Sequence, residues 1–252
     1  MPTPLSTIKL YLKLYSYVFI AKIFRRKWSW FNDDEYQNKR IIIIGPASSS
    51  LEYLPGKDID AFDIIIRVNK SPLTIKGKEH QLGTRTDILY HCCDEDPITG
   101  GGQIDPELLH TQGTKSVIYT YHEKYLTHNF FRSIIKHSSV RFNRTHSNLY
   151  LDLKREYKAK TPTTGLQALN HVLNCNFLEL HITGFTFFKT AYTDGYRDGH
   201  KSAEMSAALA VSKGNHDPDD ELRLFRKIYK SQIKSKHIII DRTIEKLIAS
   251  AE

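Results

Sequence analysis

Apolar runs bounded by glycine, proline and polar residues set the pattern of this chain. Ile41-Ile42-Ile43-Ile44 is a run of four β-branched residues ended by Gly45-Pro46. A run without polar positions suits a central parallel strand covered on both faces. Ile64-Ile65-Ile66-Arg67-Val68, Asp87-Ile88-Leu89-Tyr90, Ser116-Val117-Ile118-Tyr119 and Leu178-Glu179-Leu180-His181-Ile182 predict further strands, and His237 to Ile240 a short last one. Helices are predicted near Glu123 to Lys136, Tyr150 to Lys158, Thr164 to Asn174 and Asp217 to Lys234, the last long and amphipathic. Strands alternating with helices predict an α/β fold, a single Rossmann-like, doubly wound, mostly parallel sheet. Asn32 to Lys39 is polar and predicts a linker. Thr186 to Lys213 has glycines and aromatics with little apolar periodicity, which predicts a lid or a disordered stretch. It follows a strand's carboxyl end, where open α/β sheets bind ligands.

The start of the chain is different. Leu5 to Trp30 carries Ile8, Leu10, Leu12, Leu14, Tyr15, Tyr17, Val18, Phe19, Ile20, Ile23 and Phe24, punctuated by Lys9, Lys13 and Lys22 and followed by Arg25, Arg26, Lys27, Trp28 and Trp30. A bilayer span needs roughly 20 apolar residues, and no segment supplies them. The largest basic cluster follows the apolar stretch, the reverse of a signal peptide. Residues 1–31 are therefore expected to form an uncleaved amphipathic helix in a membrane interface, with the Trp rings at headgroup level and the Lys and Arg side chains on lipid phosphates. The alternative is a helix packed on its own domain or on another subunit. The globular domain is expected over residues 39–252.

Composition narrows the picture little. Hydrophobic residues make up 40% of the 252 positions, enough for a core, and 36 Lys and Arg against 28 Asp and Glu give a formal net charge of +8. That excess favours anionic partners without choosing among them. The basic residues are dispersed and no DNA or RNA module is visible, so nucleic-acid binding is not expected. The cysteines, Cys92, Cys93 and Cys175, are odd in number and two are adjacent. They suit a reducing compartment better than a disulfide framework, and without CxxC spacing they predict no zinc site.

Four stretches carry candidate chemistry. Ile41 to Ser50 is a strand, a glycine and a small-residue loop, which suits either a phosphate-binding turn or an ordinary βα turn. Asp58-Ile59-Asp60-Ala61-Phe62-Asp63-Ile64-Ile65-Ile66-Arg67-Val68-Asn69-Lys70-Ser71-Pro72 is followed by Gly83-Thr84-Arg85-Thr86-Asp87. Thr161-Pro162-Thr163-Thr164-Gly165 reads as a capped helix start, with proline in the first turn and hydroxyls for the exposed amides, and is followed by Cys175 and by Leu180-His181-Ile182-Thr183-Gly184-Phe185. Finally come His200 and His216-Asp217-Pro218-Asp219-Asp220-Glu221. On its own His216 is equally a surface histidine before an acidic first helical turn.

Taken together, Ile41 to Asp87 resembles the large sialylmotif of the sialyltransferases, and Thr161 to Phe185 resembles the small one. His200 matches the histidine of a third motif, and His216 with Glu221 matches the His-x-x-x-x-Glu of a fourth. The resemblance covers roughly Ile41 to Lys230. It implies the sialyltransferase-type variant of the GT-A fold and a metal-independent, inverting transfer of sialic acid or a related 3-deoxy acidic sugar from its CMP donor. It assigns donor binding to Gly45, Ser48, Asn69, Thr163, Thr164, Gly165 and Gly184, phosphate support to His200, and the general base to His216. Glu221 follows by motif alone. No cofactor beyond the donor substrate is implied.

The chain also departs from the family. Vertebrate-type members join the large and small motifs by a disulfide. Cys175 stands at the small-motif position, but Lys39-Arg40-Ile41 offers it no partner. Pro46 replaces the asparagine after the first glycine, and Lys201-Ser202 replaces the aromatic pair after the third-motif histidine. The missing bridge fits bacterial members and a cytoplasmic enzyme resting on the inner membrane, with a cell-surface glycan or glycolipid as acceptor. Two other readings remain. One is a Kdo transferase of the same fold. The other is a membrane-docked protein that binds the anion without catalysis. Asp94-Glu95-Asp96 could form the metal site of a UDP-sugar transferase, but a CMP-sugar has one phosphate and less need of a cation, so no metal ligands are assigned.

Overall fold

The computed structural model describes residues 28–98, 100–158, 161–197 and 216–250, together with Tyr11, Leu12, Tyr15, Ser16, Phe19, Ser202, Glu204, Met205 and Ala208. Eight strands form one sheet: β1 (Trp28–Trp30), β2 (Arg40–Ile44), β3 (Ile64–Val68), β4 (Ile88–Tyr90), β5 (Ser116–Tyr119), β6 (Phe142–Arg144), β7 (Glu179–Thr183) and β8 (Ile238–Ile240). Their order is β1-β6-β5-β4-β3-β2-β7-β8 and every pairing is parallel. The main helices are α1 (Pro106–Thr111), α2 (Lys124–Lys136), α3 (Ser147–Glu156), α4 (Thr164–Asn174), α5 (Pro218–Gln232) and α6 (Arg242–Ala249).

The isoleucine run behaves as a doubly covered strand. Ile41 and Ile43 enter the core that holds α4 and α5, whereas Ile42 and Ile44 pack on the other face with Ile59, Phe62, Ile65, Ile75 and Leu82. From β2 the chain steps outward through β3, β4, β5 and β6, then returns to place β7 on β2's other side. The strand order therefore reverses between β2 and β7, at the ends of which stand Gly45 and Gly184. Such switch points open the crevice where α/β sheets take ligands.

The predicted boundaries need two corrections at the start of the chain. Trp28 and Trp30 belong to an edge strand, not to an interfacial helix. Trp28 pairs with Phe142 in register and its ring stands edge-on to Phe130 and Phe131 at 5.8 and 6.0 Å. Trp30 stacks on His146 at 5.1 Å. The globular domain thus starts inside the segment assigned to the membrane. Asn32 to Lys39 is no linker either: it holds a 3-10 turn, Asp33–Tyr36, whose Tyr36 is fully buried. Of residues 1–27 only five are described, all helical, and Tyr11, Leu12, Tyr15 and Phe19 are exposed. The rest of that stretch lies outside the described residues. Among the described residues no helix is long and apolar enough to cross a membrane.

Candidate functional site

The large-motif charges turn out to be scaffold. Asp60 accepts the Thr84 amide (2.9 and 3.0 Å), the Thr84 hydroxyl (2.9 Å) and the Arg85 amide (3.3 Å). Arg85 pairs with Asp87, and Asp87 accepts the Ile65 amide at 2.9 Å. Arg67 is buried in β3 and donates to the carbonyls of Leu82 and Arg85, and burial lowers its pKa to about 10. These bonds fold Gly83–Asp87 back on β3 and fix the strand end that presents Asn69. Asn69 adopts a positive φ of 48° and accepts the Cys92 amide at 3.1 Å.

At the switch point the two glycines serve each other. A Cβ on Gly45 would stand 2.3 Å from the Gly184 carbonyl oxygen, and one on Gly184 would stand 2.6 Å from that of Gly45. Gly184 also has φ 76°. The amide of Gly45 donates to Thr183, that of Ala47 to Gly184 and that of Ser48 to Ala191. Buried Asp241 ties the turn down, accepting the Thr183 hydroxyl (2.8 Å), the Gly184 amide (2.9 Å) and the Ser49 hydroxyl (3.3 Å).

The small motif opens α4. Thr163 is the N-cap and accepts the Leu166 amide at 3.1 Å. The Thr164 hydroxyl meets that of Tyr121 at 2.9 Å, and Gly165 lies close against the Phe185 ring, where a Cβ would come within 3.3 Å. With these side chains engaged, the first-turn amides of Thr164 and Gly165 and the positive end of the helix dipole are what remain to meet an anion.

Two of the three proposed catalytic residues are brought to this helix end. Glu221 is buried in α5 and collects three donors: the Thr163 amide (2.8 Å), the Thr163 hydroxyl (2.6 Å) and the Tyr157 hydroxyl (3.0 Å). Tyr157 in turn accepts the Asp217 amide at 2.9 Å. His216 lies just before the α5 N-cap, Asp217, with Nδ1 at 2.7 Å from the Thr161 carbonyl. Only a protonated Nδ1 can bond a carbonyl, so the contact selects the tautomer whose Nε2 carries a lone pair. Burial pushes the His216 pKa below the ordinary imidazole value; the Thr161 carbonyl opposes the shift and the Arg197 charge adds to it. The ring is therefore neutral at neutral pH. His200 lies outside the described residues.

Sequence reasoning did not find the row of rings that spans the crevice. Phe188 stacks on His216 at 6.4 Å, Tyr192 stands 6.5 Å from Phe188, and Tyr196 5.0 Å from Tyr192. Tyr196 bonds to Asn69 and lies over Lys70 at 5.6 Å. The predicted lid is pinned by the Thr193 amide on Pro46 (2.8 Å) and by Arg197 on the carbonyls of Ile98 and Gly100. Only the aromatic content hinted at it. The acidic triplet turns on its own surroundings: Asp94 accepts the Asp96 amide, Asp96 that of Ile98, and Glu95 pairs with Lys136 and His137.

The crevice can be set beside known proteins. No family model matches the chain. The type 2 lactosamine α-2,3-sialyltransferase of the mouse is 24% identical over 184 residues, 61% of this chain and 52% of that protein. The chain thus spans about half the length of this curated relative. A mammalian sialyltransferase solved with Gal-β-1-3GalNAc-ortho-nitrophenol superposes with a TM-score of 0.51 at 16% identity, over 84% of this chain and 72% of its own. The sialyltransferase CST-II in complex with CMP gives a TM-score of 0.51 at 12% identity, over 82% of this chain and 84% of its own. In sequence the chain is similar to the first of these, and it shares the fold of the other two.

Proposed function

We propose that this protein transfers sialic acid, or a related 3-deoxy acidic sugar, from its CMP donor to a hydroxyl of a cell-surface glycan or glycolipid, with inversion and without a metal ion. The observation that carries the reading is His216, a neutral imidazole fixed through Nδ1 and tied to the start of the phosphate-facing helix. In the proposed step, Nε2 takes the proton of the acceptor hydroxyl as its oxygen bonds to the anomeric carbon. The bond to the phosphate oxygen breaks on the opposite face, and CMP leaves with the electron pair. The α4 amides receive the phosphate, assisted by His200, while Asn69 and the Tyr192–Tyr196 rings hold the nucleotide. The transition state has oxocarbenium character beside the sugar's own carboxylate, so holding cytidylate and excluding water are much of the work. The structural neighbours solved with CMP and with a glycan support this choice of donor and acceptor class. The bacterial lipopolysaccharide-type acceptor and the cytoplasmic face of the inner membrane rest on the sequence departures alone. Kdo remains the alternative sugar.

CMP is expected to raise the thermal midpoint without added metal, and EDTA to leave that increment intact, because a ligand that binds only the native state stabilises it. Stabilisation by UDP with manganese in place of CMP would overturn the donor assignment.

The segment before β1 is proposed to rest on an anionic membrane. Its basic residues precede Trp28, and the described ring positions Tyr11, Tyr15 and Phe19 are exposed. Deleting residues 1–27, which spares β1, is expected to release the protein from phosphatidylglycerol vesicles in flotation and to leave CMP binding intact. Unchanged flotation would contradict it.

A further inference from the structure

The cysteines lack zinc-type spacing, and by sequence alone they predict no metal site. The fold nevertheless assembles a ligand set at the far end of α4. His171 and Cys175 lie one turn apart on the same face, since i and i+4 positions coincide on a helix. Asp33 reaches them from the 3-10 turn after β1. The carboxylate oxygen, the imidazole nitrogen and the thiol sulfur all lie within 4.8 Å of one another. Thr164 is seven residues up the helix, about 10 Å along its axis, so this cluster stands apart from the proposed reaction centre.

We propose that Asp33, His171 and Cys175 bind a divalent zinc-type cation, which clips the N-terminal segment to α4. One sulfur, one nitrogen and one oxygen make a borderline-soft donor set suited to zinc, with solvent on the half-exposed Asp33 side to supply a fourth, water ligand. Bonds of about 2.0–2.3 Å would space the ligands roughly 3.3–3.8 Å apart. His171 Nε2 and Asp33 Oδ1, now 2.9 Å apart, must open slightly.

The surroundings match what a metal-bound histidine needs. Its other nitrogen, Nδ1, lies 2.6 Å from the buried Tyr90 hydroxyl, which meets the Tyr36 hydroxyl at 2.9 Å. That is the outer-shell contact that fixes the orientation of a ligating imidazole. The chain of hydroxyls can run in either direction. Without metal, Tyr36 donates to Tyr90, Tyr90 to Nδ1, and Nε2–H to Asp33. With metal, the imidazole shifts tautomer, Nδ1–H donates to Tyr90, and Nε2 gives its lone pair to the cation. Cys175 is a free thiol that donates to the His171 carbonyl at 3.2 Å. The thiol proton must leave for the sulfur to bind the cation, so affinity should rise with pH.

The test is cobalt(II) titration of the reduced full-length protein, with zinc competition. One equivalent should bind with a thiolate-to-cobalt charge-transfer band in the near ultraviolet and be displaced by zinc. Cys175→Ser should remove the band. Asp33→Asn, at a surface position that leaves the core untouched, should weaken binding tenfold or more. Tyr90→Phe should weaken it by roughly 10- to 100-fold, the usual effect of losing an outer-shell partner. Zinc should raise the thermal midpoint of the wild type but not of Cys175→Ser, and the CMP-dependent increment should be the same with or without it. Absence of binding, or binding without the band, or full affinity in both Cys175→Ser and Asp33→Asn, would overturn the proposal without touching the proposed transferase activity.

Discussion

His216→Ala is expected to lower the rate of sugar transfer by roughly 10²- to 10⁴-fold, the range a positioned general base contributes. CMP affinity should stay near wild type, because a base that acts on the acceptor hydroxyl need not touch the nucleotide. Among the described residues, His216 bonds to the Thr161 carbonyl and its ring faces Phe188, so a parallel thermal-midpoint measurement separates loss of the base from loss of packing. The depressed His216 pKa adds a second signature. Transfer should hold its rate as pH falls through the ordinary imidazole range and drop only below it, when Nε2 becomes protonated. His200→Ala, by contrast, should weaken CMP binding as well as transfer, because its proposed partner is the phosphate. Donor consumption with a broad acceptor panel, run beside CMP titration, measures both. Full transfer by His216→Ala would remove the assigned base.

Glu221→Ala is expected to cost about 3–5 kcal/mol of stability and to weaken CMP binding, because it strands buried donors on Thr163 and Tyr157 at once. Glu221 touches neither donor nor acceptor in this account. It is a positioning residue that joins the α4 cap to the helix following His216. Burial pushes its carboxyl from 4.5 up to about 7, with the bonds from Thr163 and Tyr157 opposing the shift. A raised carboxyl pKa means the native state favours the protonated form. The stability it contributes is full below pH 4.5 and is lost as pH rises through about 7, to an extent on the order of 3 kcal/mol. Glu221→Gln mimics the protonated acid and should flatten that part of the thermal-midpoint profile between pH 4.5 and 8. His91 and His122, both depressed to about 4, act in the opposite sense over this window, so the difference between the wild-type and Glu221→Gln profiles is what reports Glu221. No such difference, or a Glu221→Ala protein as stable as wild type, would contradict the role.

How much of this was legible beforehand depends on the length of each element. The isoleucine strand, β3, β5 and α4 were readable because four or more apolar or helically spaced residues leave a period. β1 and β6 are three residues each and broken by polar side chains, Trp-Ser-Trp and Phe-Asn-Arg, whereas the equally short β4 and β8 are wholly apolar, Ile-Leu-Tyr and Ile-Ile-Ile, and stood out. Trp28 and Trp30 also sit beside a basic cluster, so composition assigned them to a membrane when the Phe130 and Phe131 rings already covered Trp28. Asn32 to Lys39 looked like a linker because its burial rests on one residue, Tyr36, bonded to Tyr90, 54 positions on. In the candidate site, the order of Thr163, His216 and Glu221 was visible. What joins them was not, since the bonds from Glu221 to Thr163 span 58 positions and that from His216 to Thr161 spans 55. Gly45 and Gly184 stood out as donor-binding positions; that the backbone of each crowds the other was not visible, because 139 positions separate them.

The central claim is that the crevice consumes a CMP-activated acidic sugar. Incubating the wild-type protein with CMP-sialic acid, and separately with CMP-Kdo, and following CMP release by phosphorus NMR with and without glycan acceptors tests it most directly. Steady CMP release from one of the two donors is expected in the presence of EDTA, faster with a competent acceptor, and nearly abolished in His216→Ala. A protein that binds CMP tightly but releases none from either donor, with any acceptor, would contradict it and leave a nucleotide-binding protein in its place.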